Sequence, residues 1–376
     1  MRGRRFSPLD LKLRLRADHW SEGAARVATR HGLRAPSFEQ AAEEYTDAVG
    51  GAMSGSSLRR ITLGVGEEMV ERKKVEAEWA SAPAQRGEDP RSRRVAAQDP
   101  ILGQANVSTD GTMIRLREEG WKEVKISAIS KVEVRPPAAK QASATQRSGS
   151  EAEQRRPSRR QEDPQVHLTA HSYCAGLWDA DEMGRHQYAE GLRRGIDQVE
   201  RLSSVNDGAP WIERITLTNF PDAVQIVDWS HASGRLWAVG QAVYGEGSEK
   251  TKAWVEANLD ALWAGQGWAV VGSLHALEVD QSSVPDEVRQ APGYFESNLA
   301  RMRYEQFRAQ GYPIGSGTVE SGGKNVVHLR MRRPGRGWGR DNAQAMLAGL
   351  SELHSGRFDL AWQQIQQPAI QSHPHF

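Results

Sequence analysis

Three acidic residues stand in contexts where their types and placement could do chemistry. Asp110 sits in Val107-Ser-Thr-Asp-Gly-Thr112, inside an apolar strand pattern. Asp207 sits in Ser203-Ser-Val-Asn-Asp-Gly-Ala209, at the end of another. Glu320 sits in Ile314-Gly-Ser-Gly-Thr-Val-Glu-Ser-Gly-Gly-Lys-Asn325, where a helix should open. Carboxylates are hard oxygen ligands that hold Mg²⁺ with water positions left open, and Mn²⁺ can substitute. Phosphoryl transfer needs such a cluster, because an anionic phosphodiester repels its nucleophile until cations neutralise it. Two metal ions about 3.5–4 Å apart can activate the attacking oxygen and stabilise the leaving one.

Plainer readings exist for each residue. Asp-Gly is a frequent hairpin-turn pair, so either Asp-Gly alone reads first as a turn. A lone Glu in a Gly-rich stretch is commonly a helix-start carboxylate favoured by the helix dipole. A further pair, Asp228-Trp-Ser-His231, ends a strand at Val224–Val227. It could ligate a metal, although a hydrogen-bonded structural pair is commoner at that spacing. Asp207 and Asp228 both follow a strand, so spacing leaves the second carboxylate open between them. Gly317–Lys324 resembles a phosphate-binding loop. The pattern Gly-x-x-x-x-Gly-Lys-Ser/Thr fails, because Gly322 is followed by Gly323-Lys324-Asn325 and no clear strand precedes it. His328 falls in a basic stretch where it could meet phosphate, with a surface histidine as the default.

The elements that must position these residues follow from periodicity. Residues 1–100 are polar and read as helical. Ser37-Phe-Glu-Gln-Ala-Ala42 opens like a capped helix, Gly50-Gly51 breaks it, and Ser54-Gly-Ser-Ser-Leu-Arg-Arg60 leads into a second helix through about Ala80. Helix, Gly-containing turn and helix, with Arg59 and Arg60 near the second start, are compatible with a helix-turn-helix that binds DNA ends. Residues 106–116 and 121–134 alternate as strands around a turn at Glu118-Glu119-Gly120. The stretch 136–164, rich in Ala, Ser, Gln, Arg and Glu, reads as a disordered loop within a hairpin. A strand over 165–177, a helix over 179–196, a strand over 199–206, a helix over 210–219 and a strand over 223–227 follow.

Residues 232–310 lack strand alternation and read as a helical insertion, with Trp237, Trp254, Trp263 and Trp268 as core anchors. Residues 311–360 return to the catalytic core, with a helix from Asn342 to about His354, and 361–376 read as a tail. The order β-β-β-α-β-α-β, then helices, is that of an α/β, ribonuclease-H-like mixed sheet. It would carry the helical insertion and follow a small helical N-terminal region. In that order the first and fourth strands are neighbours, which would set Asp110 beside Asp207.

The 376 residues suit two or three domains. The net charge of +1 hides an uneven distribution: residues 321–340 hold Lys324, Arg330, Arg332, Arg333, Arg336 and Arg340 with no acid. Such a patch suits phosphate backbones, and a solvated face is the equal alternative. No apolar run is long enough to span a membrane. No apolar segment follows the basic start, so no secretory signal is expected. The single cysteine, Cys174, excludes a Cys-rich zinc site and suits a reducing cytoplasm.

The chain resembles insertion-sequence transposases of the Kra type, relatives of the Mutator-like group. The blocks that carry the resemblance are Asp110-Gly-Thr with Gly120-Trp-Lys-Glu-Val-Lys125, Asp207-Gly-Ala-Pro-Trp-Ile212, and Phe220-Pro-Asp-Ala-Val-Gln-Ile-Val-Asp-Trp-Ser-His231. Further blocks are Arg301-Met-Arg-Tyr304, Gly311-Tyr-Pro-Ile-Gly-Ser-Gly-Thr-Val-Glu-Ser321, Lys324-Asn-Val-Val327, Trp338 and Ala343-Gln-Ala-Met-Leu347. They run from about residue 104 to 360, and more weakly over 35–80. The resemblance implies a ribonuclease-H-like core whose triad is Asp110, Asp207 and Glu320, with Mg²⁺ as cofactor. It makes Asp207 the second carboxylate and Asp228 with His231 a supporting pair. It also implies double-stranded DNA as partner, both element ends and target, and a homodimer or larger assembly in the nucleoid. Lys324, Arg330, Arg332 and Arg333 would hold phosphates, and Arg59 and Arg60 the element ends. The rival expectations are a ribonuclease-H-like nuclease without strand transfer, and a DNA-binding descendant that no longer cuts.

Overall fold

A computed structural model describes residues 15–16, 20–82, 99–136, 163–277 and 284–366. The chain begins with three helices: α1 (Glu22–Arg34), α2 (Phe38–Val49) and α3 (Gly55–Ser81). Each opens on a serine, Ser21, Ser37 or Ser54, whose hydroxyl accepts a backbone N–H of the first turn. Five strands follow: β1 (Gln104–Leu116), β2 (Gly120–Arg135), β3 (Gln165–Gly176), β4 (Arg201–Asn206) and β5 (Val224–Val227). Helix α4 (Ala180–Arg193) connects β3 to β4, and α5 (Pro210–Asn219) connects β4 to β5. The Ala/Ser/Gln/Arg/Glu-rich stretch, over 137–162, lies outside the described residues.

The sheet order is β3-β2-β1-β4-β5. β1, β2 and β3 pair antiparallel, whereas β4 pairs parallel to both β1 and β5. This is a mixed α/β fold. Alternation along β1 sends odd-numbered residues to one face and even-numbered ones to the other. Thr109 on the odd face accepts a hydrogen bond from Gln187 of α4, at 2.8 Å. The even face carries Asp110, Thr112, Ile114 and Leu116, the last two fully buried.

Beyond β5 come α6 (Trp229–Tyr244), α7 (Glu249–Trp263), α8 (Gly267–His275), α9 (Asp286–Asn298) and α10 (Tyr304–Ala309). These helices build their own core with β4 and β5 around Leu236, Val255, Val271 and Phe295. Then α11 (Gly317–Gly322) runs through a π-helical turn at Gly323–His328 and a last turn at Leu329–Met331. Helices α12 (Arg340–His354) and α13 (Phe358–Ile365) close the chain.

The fold corrects two expectations. The segment after 360 is not wholly a tail, because Ala361 and Trp362 of α13 are buried. The N-terminal helices share one continuous core with the even face of the sheet and with α12, through Leu33, Tyr45, Leu58, Ile61, Ile126 and Met346. Buried ion pairs reinforce this: Arg357 meets Glu190 of α4 at 2.8 Å and Glu352 of α12 at 3.3 Å, and Lys73 of α3 meets Glu352 at 2.5 Å. Among the described residues no helix is long and apolar enough to cross a membrane.

Candidate active site

Asp110 lies on β1, and Asp207 and Asp228 are the residues that directly follow β4 and β5. The β1–β4 ladder pairs Gln104 with Arg201 and Val107 with Ser204. Continued at the same offset, it pairs Asp110 with Asp207. Beyond the last ladder pair the Asn206 side chain takes over, its Oδ1 accepting the Thr109 N–H at 2.6 Å. The β4–β5 ladder pairs Asn206 with Val227, so its next step pairs Asp207 with Asp228. The Asp228 N–H donates to the Asn206 carbonyl at 2.7 Å, which keeps that step in register. Glu320 lies in the first turn of α11. Asp110 is close enough to Asp207 and Glu320 for their charges to act on its carboxyl.

Close approach of α11 to the sheet is required for this. A Cβ on Gly322 would stand 2.7 Å from the Tyr173 ring, so only glycine lets the helix lie this low. The backbone after Asp207 turns through Gly208 at φ +88°, a left-handed conformation that glycine adopts freely. The turn is set by the Ala209 N–H, which donates to Asp207 Oδ1 at 2.8 Å, and by the Tyr294 hydroxyl, which donates to the Asp207 carbonyl at 2.9 Å. Asp110 Oδ1 accepts the Gly111 N–H at 2.7 Å. The second oxygen of each aspartate has no hydrogen-bond partner among the described residues.

Electrostatics agree with a crowded acidic site. Burial holds the Asp110 carboxyl above its ordinary range, and the nearby charges of Asp207 and Glu320 push in the same direction. Asp228 differs. Burial would raise it, but hydrogen bonds from the His231 ring, the Ser230 hydroxyl and the Ser316 and His231 N–H groups hold it well below the ordinary carboxylate range. Its Oδ1 caps α6 by accepting the His231 N–H at 2.9 Å and the His231 ring Nδ1 at 3.2 Å. Its Oδ2 accepts the Ser316 N–H. Together with Trp229 N–H on the Ile314 carbonyl, at 2.9 Å, this ties the loop before Glu320 to the end of β5. His231 is pushed up by its bond to Asp228, against burial, and then by the charges of Asp228, Asp207 and Asp110.

One oxygen or nitrogen each of Asp228, His231 and Glu320 lies within 4.8 Å of the others, a spacing that could hold a metal ion. Asp228 spends both oxygens on backbone and side-chain donors. Asp110 and Asp207 each keep an uncommitted oxygen. Among the described residues no group containing Asp110 or Asp207 meets that spacing. No thiol competes, since burial pushes Cys174 up to about 12.

The basic residues separate into two groups. Lys324, Arg332, Arg59 and Arg60 are exposed, and Arg333 is half-buried. Arg332 lies over the exposed Trp121 ring at 5.3 Å. Arg330 is interior at 3% exposure and is not presented as a surface phosphate contact. Its Nε and Nη1 donate to the carbonyls of Gly32 and Pro36, at 3.2 and 3.3 Å, and its guanidinium stacks on Phe38. The His328 ring bonds the Thr112 hydroxyl at 2.5 Å and is pushed down by burial and then by Arg332 and Lys324.

Sequence reasoning missed Tyr294, Ser316 and Asn206. Asn206 adjoins Asp207 and could have been suspected. Tyr294 lies far along the chain in the helical insertion and carries no local signal. No protein-family model matches the chain, and no curated protein is detectably similar to it.

Proposed function

We propose that the protein is a DNA transposase of an insertion sequence, of the Kra type related to the Mutator-like group, that cleaves element ends and joins them to target DNA. The observation that carries this reading is the closeness of Asp110 to Asp207 and Glu320, whose charges both act on its carboxyl. The strand order β3-β2-β1-β4-β5, antiparallel then parallel, supports a ribonuclease-H-like core.

In this reading Asp110, Asp207 and Glu320 hold Mg²⁺, or Mn²⁺ in its place. The bound ions supply the charge neutralisation that lets water, and then a freed 3′-hydroxyl, attack an anionic phosphodiester. The first attack breaks a P–O3′ bond and leaves a 3′-hydroxyl on the element end. The second forms a new P–O bond to target DNA and expels a target 3′-oxygen. Asp228 acts as a positioning residue, because it caps α6 and fixes the loop that leads to Glu320. Lys324, Arg332 and Arg333 hold phosphates beside the carboxylates, and Arg59 and Arg60 face the element ends. Joining two ends at once calls for a homodimer or larger assembly on DNA, in the nucleoid.

The direct test incubates the purified protein, Mg²⁺, a duplex carrying the DNA that flanks its gene, and a supercoiled target plasmid. Covalently joined products support the transposase. Products that stop at hydrolysis make it a nuclease, and tight binding with neither product makes it a DNA binder that no longer cuts.

A further inference from the structure

A second cationic feature lies at the far end of β1. There β4 no longer runs alongside, and Trp338 instead bridges to Leu116 as a parallel strand would. The start of α2 closes over it, with the Phe38 ring edge-on to Trp338 at 6.4 Å. Between these pieces is a cleft of about 650 Å³. Five arginines line it, Arg59, Arg115, Arg117, Arg330 and Arg336, against one acid, Glu39.

The five guanidiniums come from four separate parts of the fold, so no local sequence preference gathers them. Arg59 is on α3, Arg115 on β1, Arg117 just beyond it, and Arg330 and Arg336 flank the turn before Trp338. Among the described residues none of them forms an ion pair with a carboxylate. Arg117 and Arg336 donate to the carbonyls of Gly337 and Pro36, at 2.8 and 2.6 Å, which fixes their positions without neutralising them. Arg330 is decisive. It is 3% exposed, held on two carbonyls and between two aromatic rings, and its Nη2 has no acceptor among the described residues. A buried cationic N–H without an acceptor is costly, and a cluster of like charges adds repulsion. An anion in the cleft offsets that repulsion and the buried charge of Arg330.

We propose that this cleft is a binding site for a phosphate group, gripped by the guanidinium forks of Arg59, Arg115, Arg117 and Arg336 beside the buried charge of Arg330. Arginine forks match phosphate oxygens two at a time. A single carboxylate would neutralise one of the five charges, whereas a phosphate or a run of phosphodiesters can engage several. The phosphate's source is either a nucleic-acid backbone or a free phosphate. The backbone source rests on the transposase reading. Arg115 lies five residues along β1 from Asp110, on the order of 17 Å at about 3.3 Å per residue. That is about five base pairs of duplex at 3.4 Å each, so DNA held at the carboxylates would reach the cleft.

The test uses the full chain and the double variant Arg59→Gln/Arg115→Gln. Neither side chain has a hydrogen bond or ion pair among the described residues. A control, Lys250→Gln/Lys252→Gln on α7, removes the same charge elsewhere. One arm compares melting temperature in sodium phosphate and in sodium chloride at matched ionic strength. The other titrates a mixed-sequence duplex by fluorescence anisotropy over a range of salt. The expected result is a phosphate-dependent rise in melting temperature that the cleft variant loses and the control keeps. In the duplex arm, the slope of log affinity on log salt should fall by about 1.8, as expected for two lost phosphate contacts. Loss in the melting arm alone assigns the cleft to free phosphate and leaves the transposase reading to its own assay. Loss in the duplex arm alone assigns it to the nucleic-acid backbone. If the cleft variant behaves like the intact protein in both arms, or the control loses as much, the proposal is overturned. Both arms read binding and not cleavage, so inactivity at the carboxylates would change neither readout.

Discussion

Asp110 and Asp207 each follow one end of a direct bond between β1 and β4, because the Thr109 N–H donates to Asn206 Oδ1 at 2.6 Å. That bond brings the first aspartate within reach of the second one's charge. Asp228 directly follows β5, and its oxygens are committed to capping α6 and to Ser316. Asp110 and Asp207 each use one oxygen in a local turn, whereas Asp228 spends both.

Neutralising one of the first two should relieve repulsion. Asp207→Asn is expected to raise the melting temperature in chelator, at roughly 2 °C per kcal/mol gained. Adding Mg²⁺ should then stabilise the intact protein and leave the variant unchanged. A variant that melts lower in chelator would show that Asp207 is a structural residue.

Removing the third should do the opposite. Asp228→Ala loses the cap of α6, worth about 0.5–2 kcal/mol, and also frees the Ser316 N–H. The melting temperature should fall in chelator, and amide exchange over 314–322 should quicken. Unchanged exchange there would mean that Asp228 does not hold the loop before Glu320.

Stability should also depend on pH through His186. This ring is buried against Trp178, with centroids 3.9 Å apart, and burial, then Lys73 and Arg185, push it down to about 3. The folded state therefore binds the proton more weakly than the unfolded chain, where the group titrates near 6.5. Its stabilising contribution is full above pH 6.5 and drains as pH falls from there toward 3, by about 1.4 kcal/mol per unit. Melting curves between pH 7 and 4 should show this loss, and His186→Phe should flatten it. A variant with the same slope would remove His186 as the cause.

The basic stretch should divide by burial. Arg330→Met strands the Gly32 carbonyl, while Pro36 keeps its bond from Arg336, and should cost about 1–3 kcal/mol of stability. Lys324→Gln and Arg332→Gln should leave melting unchanged and each lower the salt slope of duplex binding by about 0.9. Equal effects of all three on melting would contradict the division.

The sequence made the strands and most helix limits legible, because alternation in 121–134 and the caps at Ser37 and Ser54 are local signals. It could not rank Asp207 against Asp228, since both follow a strand and only the bonds to Ser316 and His231 tell them apart. Arg330 read as one of a basic run because charge patterning carries no information on burial; its partners Phe38 and Pro36 lie almost three hundred residues away. The shared core of α1–α3 with α12 was hidden for the same reason. Trp362 looked like part of a polar tail because a single tryptophan sets no period.

The carboxylate triad is best tested by transposition in cells of a marker flanked by the DNA that borders this gene, with the intact protein, Asp207→Asn and Asp228→Asn compared at equal protein levels. A triad of Asp110, Asp207 and Glu320 predicts movement with the intact protein, none with Asp207→Asn, and a reduced frequency with Asp228→Asn that better folding at lower temperature partly restores. Movement that survives Asp207→Asn while Asp228→Asn abolishes it at every temperature would contradict that triad and make Asp228 the second carboxylate.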